Sequence, residues 1–81
     1  MNRYDHTFAA SCPNDSRTII YHLTIKTEAT IKAEDIEAAC FFGTAYHESI
    51  ADKLIEKFGG KQTLRGMHQG VHITTKRKEP Q

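Results

Sequence analysis

The chain has 81 residues, a net charge of +1, 26% charged residues and two cysteines. That length predicts one small domain, too shallow to build a deep internal active site easily, since even a 60-residue domain buries only about 60% of its unfolded-chain surface. No apolar run approaches the ~20 residues that span a bilayer, residues 1–6 lack the basic-then-apolar order of a signal peptide, and Cys12 and Cys40 form no CxxC pair. The expectation is a cytoplasmic protein with reduced thiols and no cofactor.

Residues 6–10, His-Thr-Phe-Ala-Ala, have strand character, and the turn-forming Ser11-Cys12-Pro13-Asn14-Asp15-Ser16 follows. The strongest strand signal is residues 18–27, which place Ile19, Tyr21, Leu23 and Ile25 on one face. The other face, Thr18, Ile20, His22, Thr24 and Lys26, is polar apart from Ile20, as in a sheet covered on one side only. These two strands are expected to form a hairpin.

A first helix is predicted near 33–41. Ile31 and Ile36 have the spacing of a hydrophobic staple, and Glu34 and Asp35 suit the first turn, although Lys32 is a poor cap. Its core face is drawn from Ile36, Ala39, Cys40 and Phe42, and Gly43 breaks or kinks it. Over residues 44–60 the signal is clearer: Tyr46, Ile50, Ala51, Leu54, Ile55 and Phe58 recur at helical spacing. Thr44 is the expected cap, Lys53 and Lys57 lie near the negative end of the dipole, and Gly59 suits the stop.

Residues 61–68 and 71–76 read as strands around a Gln69-Gly70 turn. A two-residue turn pairs His68 with Val71, Met67 with His72 and Arg65 with Thr74. Leu64, Gly66, Val71 and Ile73 then share one face, and Arg65, Met67, His72, Thr74 and Lys76 the other. Residues 77–81 are expected to fray. The predicted fold class is α+β: a two-layer ββααββ arrangement, with a four-stranded, mainly antiparallel sheet and two helices packed on one face.

Charge is unevenly distributed. Residues 33–58 hold six carboxylates against two lysines, whereas residues 59–81 hold five basic side chains against one glutamate. Such a split suits a protein that meets different partners on different sides, or whose copies attract one another.

The leading expectation is a small, non-enzymatic binding or regulatory protein, an accessory or inhibitor of bacterial or phage type. It would engage a larger protein partner through the carboxylates of Glu34, Glu37, Glu48, Asp52 and Glu56, and form a homodimer through a free sheet edge or the Ile20 face. No membrane association is expected.

The alternative is a nucleic-acid-binding domain that uses a patch of Lys61, Arg65, Lys76, Arg77 and Lys78. Against it, Tyr21 and Phe8, whose rings could stack bases, are expected inside.

A third alternative, a small enzyme, would need Cys40 beside a histidine, yet Cys40 falls on a buried helix face where cysteine acts as a small hydrophobe. Five histidines invite a metal reading, and His68 and His72 have three residues between them, but the intervening Gln69-Gly70 turn sends the pair to opposite strand faces and nothing local prearranges the others. No catalytic or metal-binding residues are assigned.

Overall fold

Alternating apolar and polar residues build the sheet. In the computed structural model, which describes residues 1–80, the elements run β1 (Asn2–Ser11), β2 (Thr18–Thr27), α1 (Ala33–Ala39), α2 (His47–Phe58), β3 (Lys61–His68) and β4 (Val71–Lys78). The four strands form one sheet in the order β1-β2-β3-β4, with every neighbouring pair antiparallel. This is the expected α+β fold in ββααββ order, with the helices against one face.

That face is the core. Phe8, Ala10, Ile19, Tyr21, Leu23, Ile25 and Leu64 from the strands meet Ile36 of α1 and Ile50, Ala51 and Leu54 of α2. The long helix covers β3 and β4. Gln62 of β3 fastens its C-terminal end: the buried Nε2 donates to the Leu54 carbonyl at 3.0 Å and the Gly59 carbonyl at 2.9 Å. The amide thereby ties β3 to the last turn of α2 and to its C-cap carbonyl. The segment before α1 is held by β1, because the Ile31 N–H donates to the Tyr4 hydroxyl at 3.0 Å. No helix among the described residues is long and apolar enough to cross a membrane.

Several boundaries differ from the sequence expectation. The long helix starts at His47 with Tyr46 at the cap position, so Thr44 does not cap it. Residues 43–45 pair with the end of β1 instead: Ser11 N–H donates to the Gly43 carbonyl at 2.8 Å, and Ala45 N–H to the Ser11 carbonyl at 3.1 Å. Tyr46 consequently leaves the core stripe. It is 49% exposed and donates to Asn14 Oδ1 at 2.9 Å, while His47 takes an inward position.

The first helix ends at Ala39, two residues earlier than expected, with Cys40 as its buried C-cap. Lys32 at its start makes no side-chain cap, as its chemistry implied. β1 begins four residues before residue 6 and ends one residue after residue 10. Residues 77 and 78, expected in a frayed end, continue β4, because Arg77 is held against α2; Gln81 lies outside the described residues.

The final hairpin has the expected register, with His68 opposite Val71, Met67 opposite His72 and Arg65 opposite Thr74. Gln69 and Gly70 both have positive φ, 50° and 80°. Two successive positive-φ residues give the twist that a two-residue hairpin requires.

Candidate functional site

The second face of the sheet carries no helix. Strand alternation sends Arg3, Asp5, Thr7 and Ala9 of β1 to this face, with Ile20, His22, Thr24 and Lys26 of β2. β3 adds Lys61, Thr63, Arg65 and Met67, and β4 adds His72, Thr74, Lys76 and Lys78. Because all four strands are in register, these side chains lie in rows that run across the sheet.

One row is entirely cationic: Arg3 stands opposite Lys26, Lys26 opposite Lys61, and Lys61 opposite Lys78. The next row is Asp5, Thr24, Thr63 and Lys76, and the third is Thr7, His22, Arg65 and Thr74. Neighbouring strands are ~4.8 Å apart, so the cationic row is roughly 14 Å from end to end. Like charges directly opposite one another oppose sheet formation.

Asp5 is the one carboxylate that β1–β4 place on this face, and it is already engaged. It accepts from Thr24 Oγ1 at 2.7 Å and from Arg3 Nε at 3.0 Å. The Thr24 hydrogen bond first, then Arg3, holds its carboxyl below the usual aspartate range. Lys26, Lys61, Arg65, Lys76 and Lys78 make no ion pair among the described residues.

Two open depressions lie on this face. One, of about 520 Å³, is walled by Lys26, Lys61, Lys76 and Lys78 over a floor that includes Thr24 and Thr63. The other, of about 370 Å³, contains Ile20, His22, Arg65, Met67 and His72. The side chains of Ile20 and Met67 are large, apolar and about half exposed, at 52% and 51%. No family model, curated protein or solved structure matches this chain.

Of the expected basic set, Lys61, Arg65, Lys76 and Lys78 share the open face. Arg77 does not. It points to the covered face, where Nη2 meets Glu48 Oε2 at 2.6 Å and Nε meets Asp52 Oδ1 at 3.1 Å. The hydrogen bonds to Asp52 and Glu48 raise its already high pKa.

Those contacts also divide the expected acidic set. Glu48 and Asp52 are tied to Arg77, whereas Glu34, Glu37 and Glu56 are exposed and make no ion pair among the described residues. Arg3 and Lys26 are members of the basic face that sequence reasoning did not include. Lys26 was legible on the polar face of β2, but Arg3 lay outside the shorter first strand that was expected. Extending the alternation of Phe8 and Ala10 back through His6 and Tyr4 would have found it.

The histidines divide between the two faces, with His72 outward and His68 inward. His68 lies 6.2 Å from buried His47, and both ring centroids are near that of Tyr21, at 6.4 and 5.4 Å. His47 is only 5% exposed, and neither ring nitrogen has a hydrogen-bond partner. Burial lowers its pKa. Glu48 opposes that shift, His68 adds to it, and the Leu64 backbone also opposes it, although no well-formed bond joins them.

Cys40 is buried and its thiol is pushed up to about 11 by that burial, the reverse of what a nucleophile needs. Among the described residues no group of three or more His, Cys, Asp or Glu side chains is placed to hold a metal.

Proposed function

We propose that this is a non-enzymatic binding domain whose open sheet face takes the phosphate backbone of a nucleic acid. The observation that carries the reading is the row Arg3-Lys26-Lys61-Lys78, set in register across four strands. Such a row costs stability in the free protein. A bound polyanion removes that cost, and release of its condensed counterions adds to the affinity. Arg65 and Lys76 extend the positive surface, and Asp5 offsets only the Arg3 end of the row, leaving the lysines without an ion pair among the described residues. Backbone contacts of this kind position a nucleic acid without reading its sequence.

Fluorescence anisotropy with labelled 20-nucleotide DNA and RNA, single- and double-stranded, at 50 and 200 mM salt tests the proposal. Four to six phosphate contacts give a slope of log affinity against log salt of about −3 to −5, according to the form bound. Replacing Lys26, Lys61 and Lys78 together with Ala should weaken binding at least tenfold. Glu34→Gln with Glu37→Gln should leave it unchanged. Failure of every nucleic acid to bind at 50 mM salt would sink the reading.

A second reading, the regulatory domain with a protein partner, is supported by the exposed Glu34, Glu37 and Glu56 and by Phe41, which is 82% exposed. It is the weaker of the two. Two of the five carboxylates expected to make that contact already hold Arg77. Capture of a specific protein that survives nuclease treatment, and is lost on changing Glu34, Glu37 and Glu56 to Gln, would favour it.

A further inference from the structure

The second depression on the open face has a chemistry that phosphate alone does not call for. Ile20 and Met67 expose apolar surface on neighbouring strands, with the His72 imidazole next in their row and His22 and the Arg65 guanidinium in the row beside it. A surface adapted only to phosphates gains nothing from exposed isoleucine and methionine. A nucleobase, in contrast, is a flat apolar face with a polar rim, and imidazole rings and guanidinium planes are groups on which bases stack.

In a duplex the base faces are covered by their neighbours, so only a single strand can offer one to this hollow. Charge complementarity favours a polyanionic ligand that also reaches the neighbouring lysine-walled depression, whose Thr24, Thr63 and Lys76 follow His22, Arg65 and Thr74 on the same strand faces. We propose that the open face binds single-stranded nucleic acid, with phosphates over Lys26, Lys61, Lys76 and Lys78 and one or two bases seated over Ile20 and Met67, beside His72 and His22.

Lys26 and Ile20 are six residues apart on β2, which at ~3.3 Å per residue is about 20 Å. That distance is roughly six nucleotides at the 3.4 Å stacked spacing of one strand, and fewer if the strand is extended. The bound strand therefore runs along β2 and β3, not along the cationic row, and its footprint lies within the ~4–16 nucleotides of single-strand-binding folds of comparable size.

This inference rests on the phosphate-binding reading, and the test separates the two. Anisotropy at 50 mM salt compares a 12-nucleotide single strand, the same sequence as duplex, inorganic polyphosphate and polyglutamate, the last two as competitors matched in charge. The single strand should bind at least tenfold more tightly than the duplex or polyphosphate. His72→Ala, and separately His22→Ala with His72→Ala, should weaken single-strand binding by about fivefold or more while leaving polyphosphate competition unchanged.

The separate His72 variant matters because His22 Nδ1 lies 3.1 Å from Thr7 Oγ1 and its loss removes a cross-strand contact. Equal binding of strand, duplex and polyphosphate, indifferent to both variants, would overturn the single-strand inference and leave phosphate binding standing. Polyglutamate competing as well as the strand would overturn it in favour of an acidic protein partner. No binding by any polyanion would overturn both.

Discussion

Gly66 occupies a position at which a side chain has no room. It is paired across the ladder with Tyr21, and a Cβ there would lie 2.8 and 2.9 Å from two atoms of the Tyr21 ring and 3.4 Å from His47 Nδ1. The fully buried Tyr21 ring fills the space above the glycine and stacks on Phe8 at 5.3 Å. Gly66→Ala should therefore destabilise the protein by about 1–3 kcal/mol, as overpacking does, measured by urea denaturation. A loss below about 0.5 kcal/mol would mean that Tyr21 can move aside.

His47, in the same cluster, gives stability a pH dependence. Its imidazolium is disfavoured in the folded chain, so the unfolded chain binds the proton more readily. Its contribution is complete above the unfolded value near 6.5 and is lost as pH falls from there towards the lowered folded value. The groups facing it are His68 and Tyr21 from the sheet, Glu48 from its own helix and Arg77 from β4. The thermal midpoint should fall as pH is lowered from about 6.5, and His47→Phe should flatten that fall. An unchanged slope in the variant would assign the effect to other groups.

At the scale of elements, the open face carries a conflict between stability and binding. Lys61 has Lys26 on one side and Lys78 on the other, and the row has no carboxylate. Lys61→Thr relieves both repulsions and introduces a residue well suited to a strand. It should raise stability by roughly 0.2–1 kcal/mol and, on the proposed function, lower affinity for a nucleic-acid backbone. Chemical denaturation and anisotropy on the same variant check the two outcomes. A variant that is less stable, or that binds unchanged, would count against a functional row.

The elements also show which local signals are decisive. The apolar stripe Ile50, Ala51, Leu54 placed α2 correctly, because helical period is written in the residues themselves. Its first turn was misplaced because a cap-competent Thr44 was outweighed by backbone pairing between residues 43–45 and Ser11, a contact made by residues more than 30 positions apart.

Across the whole molecule, charge is arranged by face more than by position along the chain. The helical layer is acidic and the open sheet face is basic, with Arg77 joining β4 to α2 through Glu48 and Asp52. Copies that associate by opposing these faces would do so through screened charges. Light scattering at high micromolar concentration should then show an apparent mass that is larger at 20 mM salt than at 300 mM. A salt-independent dimer would instead indicate pairing through the free edges of β1 or β4.

The order of elements, the two faces of β2, the turn and register of the last hairpin, and the inward position of Tyr21 and Phe8 all follow from the residues alone. Strand alternation, helical period and turn chemistry are local properties, settled over a few neighbouring residues. The tertiary structure alone decided that β2 and β3 lie side by side after the helical crossover. That pairing joins residues 35–45 positions apart, and no short-range pattern encodes it. It sets Lys26 beside Lys61, joining the Arg3-Lys26 and Lys61-Lys78 pairs of the two hairpins into one row, so cations scattered along the chain become a single surface.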